Sequence, residues 1–177
     1  ASFLALFPEE DHTPHEHNQL ADTLAILYVV WSDEEVEIFN RYAIKPIQAQ
    51  KQESSLHVGV FALRSPESPD AHIHQIFPLG IADTMAKKYR SIHELPLNSL
   101  QLSLLDERLV FILDCWTEMF VWAGKQASRT ITLGGNHVAD ELYTSLPRPA
   151  WTQPPMRVKQ GVEPFLFKAK FDDWASH

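Results

Sequence analysis

Cysteine is nearly absent, since the 177 residues contain only Cys115. A single thiol cannot form an internal disulfide or a cysteine-based metal site, so nothing indicates an oxidising compartment. We therefore expect a cytoplasmic protein. Long apolar runs are missing too, because none approaches the ~18 residues that a transmembrane helix needs. The short apolar FLALF near the start has no basic residue before it and does not resemble a signal peptide.

Lys and Arg are absent from residues 1–40, which contain nine Asp or Glu, whereas residues 41–177 contain 15 basic and 14 acidic residues. Nucleic-acid binding depends on neutralising phosphates with Lys and Arg, so we expect no nucleic-acid partner for the first forty residues. Residues 8–22 read PEEDHTPHEHNQLAD, a polar, acidic and proline-containing composition that is typical of a linker.

Two groups of histidines raise the question of a metal site. His12, His15 and His17 lie in the acidic segment, where adventitious Zn²⁺ or Ni²⁺ could bind. His72 and His74 share one face of a predicted strand without a third ligand nearby. We expect solvated imidazoles at both places and no physiological metal.

Motifs of catalysis are missing as well. No Ser or Cys nucleophile lies in a turn motif, and the glycines do not form a phosphate-binding loop. Cys115 beside Trp116 is not in the electropositive setting that produces a thiolate. The sequence therefore indicates a protein that binds through its surfaces rather than an enzyme.

Four apolar segments predict strands in the first half. Residues 23–31 and 35–44 flank the acidic SDEE and predict a hairpin, and residues 54–63 and 72–81 flank the turn-rich RSPESPDA and predict another. Residues 82–92 predict a short helical stretch.

The stretch DERLVFILDCWTEMFVWAGK predicts a core hairpin. Leu109 to Leu113 is apolar at every position, as in a central strand covered on both faces. Met119 to Trp122 is expected to pair with it, with Cys115 to Glu118 in the turn.

A helical period follows, from a predicted cap at Ser128 to Pro147, which cannot continue a helix. Its apolar stripe consists of Ile131, Gly135, Val138, Leu142 and Leu146. Gly135 lies on that stripe, which indicates close approach of the helix to the sheet. Gly134 has no explanation at this level. After the helix, MRVKQG predicts a strand and FLFKAKF an apolar element.

The order LLDERLVFILDCWTEMFVWAGK, a helix ending in LYTSLPRP, and VKQGVEPFLFKAKFDDW resembles the gelsolin/villin superfamily. Within it, the chain looks most like a middle repeat of flightless-type proteins. The resemblance implies an α+β fold, in which a mixed central sheet is sandwiched between one long and one short helix, with an insertion before the core hairpin.

The resemblance also implies a domain organisation. Its motifs cover residues 89–174 of a single domain at 23–177, in which residues 45–88 look like an insertion. Residues 1–22 then form the end of a preceding unit and an acidic linker, and Ala1 to Phe7 is similar to the last element of such a unit. We expect the chain to derive from a longer protein.

Members of this superfamily bind actin and calcium, and the resemblance places calcium ligands at the start of the VFILD strand and in the first helical turns. Here those positions hold Arg108, Arg129, Thr130 and Ile131. Guanidinium and apolar groups supply no oxygen to Ca²⁺, and Arg108 would repel it. The sequence therefore predicts a degenerate calcium site, no metal and no cofactor.

Family analogy makes the outward face of the helix the place to look for a protein partner, and the alternative there is a solvated face. The basic residues of the last thirty could meet an acidic partner, and the alternative for them is the polar face of an amphipathic element. The candidate residues are Arg129, Thr132, Asn136, Asp140, Tyr143, Arg148, Trp151, Arg157, Lys159, Lys168 and Lys170. The resemblance implies actin as partner and a location at the cytoskeleton. The alternative is an adaptor or scaffold repeat that has lost actin binding and recognises another cytoskeletal or scaffold protein. The basic tail would also suit phosphoinositide headgroups.

Overall fold

In the computed structural model, the residues described are 26–35, 37–42, 55–63, 92–145 and 147–174. Within them the chain forms six strands and three α-helices, with one 3₁₀ turn at Leu102–Leu104. The strands are β1 Ile26–Ser32, β2 Leu56–Leu63, β3 Ile92–Asn98, β4 Val110–Asp114, β5 Met119–Ala123 and β6 Met156–Lys159. The helices are α1 Ile38–Arg41, α2 Arg129–Ser145 and α3 Phe165–Lys168.

All six strands form one mixed sheet in the order β3-β2-β1-β4-β5-β6. The pairs β2-β1, β1-β4 and β4-β5 are antiparallel. At the two edges of the sheet, β3 lies parallel to β2 and β6 lies parallel to β5. The predicted hairpin of β4 and β5 is confirmed, with Asp114 opposite Met119. Every residue of β1 and β4 is buried, as expected of inner strands with both faces covered.

The long helix α2 covers one face of the sheet and contacts β1, β4 and β5. The hydroxyl of Ser128 accepts a hydrogen bond from the backbone N–H of Ile131 at 3.3 Å, so the predicted N-cap is confirmed. The buried residues of α2 are Ile131, Gly135, Val138, Ala139 and Leu142.

Both glycines of α2 lie close to side chains of the sheet. A Cβ on Gly135 would lie 2.5 Å from Val110 Cγ1, as its place on the apolar stripe indicates. A Cβ on Gly134 would lie 2.5 Å from Leu56 Cδ1. Sequence reasoning could not explain Gly134 because Leu56 belongs to a strand more than 70 positions earlier.

The opposite face of the sheet is covered by α1 and α3. Tyr42, directly after α1, packs edge-on against Phe61, and Phe167 of α3 packs against Phe120. Phe61 pairs with Leu27, and Phe120 with Leu113, on the side of the sheet away from Val110 and α2. The predicted sandwich of a mixed sheet between a long and a short helix is confirmed.

Aromatic rings seal the C-terminal part of this second face. Phe167, Phe171 and Trp174 contact one another with ring centroids 5.0 to 5.8 Å apart. Beyond α3, the backbone N–H of Asp172 donates to the carbonyl of Leu100, and Asp173 accepts from Leu102. The predicted apolar element FLFKAKF is therefore a helical turn and a tail that close the core.

The predicted hairpin of residues 23–31 and 35–44 is wrong. β1 pairs with β2 and β4, and the second segment contains α1. Ser32 and Glu35 explain the difference, because the Glu35 carboxylate accepts from both the N–H and the hydroxyl of Ser32. These hydrogen bonds hold a turn directly after β1, before α1 begins at Ile38.

Within the predicted insertion at 45–88, Leu56–Leu63 forms an inner strand between β1 and β3. The predicted strand at 72–81 lies outside the described residues, as does the helical stretch at 82–92 except for Ile92, which begins the unpredicted strand β3. In the described ranges no helix is long and apolar enough to cross a membrane.

Replacing Gly135 by Ala should destabilise the protein by about 1 to 3 kcal/mol, because the new methyl group overlaps Val110. This cost should exceed the gain of about 1 kcal/mol in helix propensity. Urea unfolding measures it, with Thr130→Ala on the exposed side of α2 as the control. An increase in stability for Gly135→Ala would contradict the close approach of α2 to β4.

Candidate functional site

Arg148 and Asp114 form a buried ion pair between the end of α2 and the end of β4. Their side chains are 5% and 3% exposed, and two hydrogen bonds of 2.8 Å join Nη1 to Oδ1 and Nη2 to Oδ2. The guanidinium also donates to the carbonyls of Leu142 and Tyr143, in the last turn of α2. A cation is favourable there because helix C-termini carry partial negative charge.

The same ion pair holds the turn between β4 and β5. Trp116 has φ 71°, a left-handed conformation that costs energy for a residue with a Cβ. Asp114 Oδ1 accepts from the N–H of Trp116 at 3.0 Å, and Arg148 Nη1 donates to its carbonyl at 2.8 Å. Because the Tyr28 hydroxyl is buried and lies near the Asp114 carboxylate, the pKa of Tyr28 is raised well above its usual value.

Arg148 was predicted as a partner-binding residue, and the structure corrects this because its guanidinium lies inside the protein. The positive charge suggested a surface group. Only the fold shows that Arg148 donates to Asp114, which lies 34 positions earlier in the chain. Its function is to position the turn and the end of α2.

Replacing Arg148 by Met should destabilise the protein by about 3 to 5 kcal/mol, because Asp114 would remain buried without a counter-charge. Thermal unfolding with Arg157→Met as an exposed control measures the difference, and Asp114→Asn combined with Arg148→Met should recover part of the loss. A loss below 1 kcal/mol for the single variant would contradict a stabilising role.

A second charged cluster surrounds Arg108, at the position where the resemblance implies a calcium ligand. Arg108 Nε and Nη2 donate to the two oxygens of Asp106 at 3.0 and 2.8 Å, and Nη1 donates to Glu37. Arg41 Nε lies 3.4 Å from Asp106 Oδ2. Two guanidinium groups therefore meet one buried carboxylate beside the start of β4.

The cluster joins α1 to the loop before β4. Arg41 Nη2 donates to the carbonyl of Ser103 at 2.8 Å, and the Tyr42 hydroxyl donates to the carbonyl of Leu104 at 2.7 Å. Hydrogen bonds from Arg108 lower the pKa of Asp106 and raise that of Arg108, so both groups stay charged. Burial raises the pKa of Tyr42, which keeps its hydroxyl protonated as a donor.

The other implied calcium positions lie in the first turn of α2. Arg129 and Thr130 are exposed in the first turn of α2, and the side chain of Ile131 is fully buried in the core. In the parts of the chain that the structure describes, no group of three His, Cys, Asp or Glu side chains converges on a common point. The histidines of the acidic segment and His72 and His74 lie outside those parts.

Replacing Asp106 by Asn should lower the stability by an amount on the order of 1 kcal/mol at neutral pH, since solvent screens the half-exposed Arg108. The pKa of Asp106 is lowered in the folded state, so its contribution is complete above the unfolded pKa of about 3.9. The contribution disappears as the pH falls through the lower folded value. The stability difference between wild type and Asp106→Asn should therefore shrink below about pH 4.

Urea unfolding at several pH values tests this expectation, with Glu107→Gln as the exposed neighbouring control. A difference between wild type and Asp106→Asn that stays constant down to pH 2 would contradict the charge pairing of Asp106 with Arg108.

The outward face of α2 includes an exposed apolar residue that sequence reasoning missed. Leu133 is 56% exposed, and His137, Asp140 and Thr144 continue its stripe at spacings of 4, 3 and 4. An apolar residue two positions from Ile131 and Gly135 points away from the core, which is a signal that the sequence contains.

Of the predicted helix residues, Asp140 belongs to that stripe, and Thr132, Asn136 and Tyr143 lie beside it. Arg129 and Asp140 are exposed, and Thr132, Asn136 and Tyr143 are half-buried. The Tyr143 hydroxyl donates to the carbonyl of Thr152 at 3.3 Å, which brings the loop containing Trp151, 54% exposed, beside α2. We call Leu133, Asn136, Asp140, Tyr143 and Trp151 the α2 surface.

The predicted basic set does not form one patch. Arg157 and Lys159 are exposed on β6 opposite Val121 and Ala123, on the side of the sheet that α2 covers. Lys168 lies in α3 on the other face, and Lys170, just after α3, donates to Glu118 Oε1 at 2.9 Å. Alternation of charged and apolar residues could not reveal which face of the sheet each segment covers.

Two motifs that identify the chain contact each other. The indole N–H of Trp122 and the backbone N–H of Gly161 donate to the two carboxylate oxygens of Glu163, each at 3.0 Å. Gln160 Oε1 accepts from the backbone N–H of Lys125 at 2.8 Å, and Gly161 has φ 100°. The FVWAGK and QGVEP segments are thus two sides of one junction between β5 and the end of β6.

Residues 92–168, which contain this junction, match the family model described as Gelsolin repeat. These residues are thus similar to a gelsolin repeat, as the resemblance to the gelsolin/villin superfamily predicts. The matched range begins at β3 and ends with α3, so it includes the core hairpin and the whole of α2.

The repeat is similar to curated relatives from animals and plants. The mouse protein flightless-1 homolog is 39% identical over 88 residues, which are 50% of this chain and 7% of the relative. Villin-4 of Oryza sativa subsp. indica is 30% identical over 84 residues, which are 48% of this chain and 9% of the relative. The chain therefore matches under a tenth of the length of either protein.

Among solved structures, a chain from the crystal structure of a Thorarchaeota protein in complex with rabbit actin aligns with 65% of this chain and 82% of its own. The TM-score is 0.37 and the sequence identity 15%. A similarity this low carries no weight for the fold or the function of this chain.

Proposed function

We propose that the gelsolin repeat binds actin directly through the α2 surface, as a non-enzymatic, calcium-independent domain of a cytoskeletal protein. The observation that carries the proposal is the exposed Leu133 on the outward face of α2. Similarity to the superfamily supplies the expectation of actin as partner, and the α2 surface supplies a place for it.

The composition of the α2 surface suits a protein partner. Leu133 and Trp151 are apolar and more than half exposed, while Asn136, Asp140 and Tyr143 provide hydrogen-bonding groups around them. Protein interfaces commonly place such apolar or aromatic anchors within a polar rim. The helix is also held in place. Arg148 donates to a carbonyl of its C-terminal turn, and Gly134 and Gly135 allow it to lie close to the sheet.

Independence from calcium is supported by the charges around Arg108. Asp106, a carboxylate near the implied site, accepts hydrogen bonds from Arg108 and contacts Arg41. A divalent cation would have to displace a guanidinium from Asp106 and approach the positive charge of a second one. We therefore propose that Arg108 replaces the metal-dependent link that the resemblance implies.

Co-sedimentation with filamentous actin and native mass measurement with monomeric actin test the proposal. We expect complex formation with equal affinity in Ca²⁺ and in a chelator, and calorimetric titration of Ca²⁺ should show no heat of binding at this site. Binding that appears only with Ca²⁺ would contradict the role assigned to Arg108.

Leu133→Asp should weaken actin binding at least about tenfold, because it places a charge within the apolar part of the contact. Phe165→Asp, the same kind of change at an exposed residue of α3 on the opposite face of the sheet, is the control and should leave the affinity within about twofold. If the unmodified chain binds no actin in either form, the alternative of an adaptor repeat for another protein would replace this proposal.

A further inference from the structure

The strand β6 is the last strand of the sheet, and its outer edge has no neighbouring strand in the described part of the chain. Gln160, directly after β6, donates its N–H to the carbonyl of Ala123 in β5. The backbone groups of successive strand residues point to opposite edges. Those of Val158 therefore face β5, whereas those of Arg157 and Lys159 face away from it.

Three backbone groups at this outer edge are open to a further strand. They are the N–H and the carbonyl of Arg157 and the N–H of Lys159, which no backbone hydrogen bond from the described residues reaches. The carbonyl of Lys159 already accepts from the N–H of Val162 at 3.1 Å. Unpaired groups at a sheet edge favour the addition of an extended segment as one more strand. We call these three groups the β6 edge.

The side chains next to the β6 edge are positively charged on one face of the sheet. Arg157 and Lys159 are exposed on the face that α2 covers. No salt bridge joins either side chain to an acid in the described ranges. Opposite charges on directly opposed residues of neighbouring strands attract each other. Acidic side chains are therefore favoured on this face of an added strand.

The other face of β6 has different neighbours. Val158 is buried there, and Met156, opposite Phe120, is 42% exposed. The carboxylate of Glu163 also reaches this face, where it accepts from the indole N–H of Trp122. An acid on this face of an added strand would approach Glu163, whereas an apolar side chain would cover Met156. The two faces thus favour alternating acidic and apolar residues.

We propose that the β6 edge binds an extended segment of a partner protein in which acidic residues alternate with apolar ones. The acids lie opposite Arg157 and Lys159, and the apolar residue between them packs beside Met156. A second copy of β6 does not fit, because the same two basic side chains would then face each other across the new pair of strands.

Titration of the full chain with synthetic peptides, followed by NMR of the backbone amides, tests the choice of partner. The peptide GEVEVEG has the proposed alternation, and GKVKVKG, with lysine in place of glutamate, is its matched control. We expect GEVEVEG to bind at least about tenfold more tightly. Arg157→Glu combined with Lys159→Glu should reverse this preference. Equal affinities of the two peptides for the unmodified chain would overturn the proposal.

Hydrogen exchange in the complex tests whether the peptide adds as a strand. Exchange of the Arg157 and Lys159 N–H groups should slow at least about tenfold when GEVEVEG binds, because both become hydrogen-bonded. The N–H of Val158, which faces β5, is the internal control and should exchange at an unchanged rate. Binding without protection of Arg157 and Lys159 would overturn strand addition.

Methylation of the peptide backbone provides a second test of strand addition. One version of GEVEVEG carries N-methyl groups on its valines, and the other carries them on its glutamates. Only one edge of an added strand faces β6, so one version should bind and the other should not. Binding by both versions, or by neither, would contradict the proposal.

The peptide experiment is independent of actin binding. Leu133→Asp, which should weaken actin binding at the α2 surface, should leave the affinity for GEVEVEG within about twofold, because Leu133 lies on the outward side of α2. Loss of peptide binding in this variant would show that the peptide binds the α2 surface and would overturn the assignment to the β6 edge.

Discussion

The buried ion pair of Asp114 and Arg148 is the constraint on which the rest of the structure depends. One guanidinium connects the last residue of β4, the strained turn at Trp116 and the final carbonyls of α2. A buried charge without its partner destabilises the fold. None of these three elements can therefore move without leaving Asp114 or Arg148 exposed or unpaired. The position of the outward face of α2 relative to the sheet is therefore fixed by an interaction at the end of the helix, away from the face itself.

The two faces of the sheet are covered by different elements. α2 covers one face and lies close to Val110 at Gly135. Its outward side exposes Leu133 to solvent. The other face is closed by aromatic rings from α3 and the tail, and by α1 through the pairs that Asp106 forms with Arg41 and Arg108. The α2 surface thus lies on the side of the core away from the aromatic rings of α3 and the tail.

Local patterns predicted the elements whose partners are near in sequence. The core hairpin, the cap at Ser128 and the buried stripe of α2 follow from alternation, turn chemistry and helical period. Pairings between distant segments could not be read in this way: β1 lies between β2 and β4 rather than beside its successor in the chain. The burial of Arg148 and the need for Gly134 depend on such long-range contacts, and so both became clear only from the fold.

The pairing of Arg108 with Asp106 and Glu37 connects α1 to the start of β4 through side chains rather than through a bound ion. A metal ion that connects two elements dissociates, and its occupancy follows the concentration of that ion. A guanidinium attached to the backbone two residues from its carboxylate has no such equilibrium with the solution, because its local concentration is set by the chain. The connection between α1 and the start of β4 is therefore made by groups of the chain itself when the domain folds.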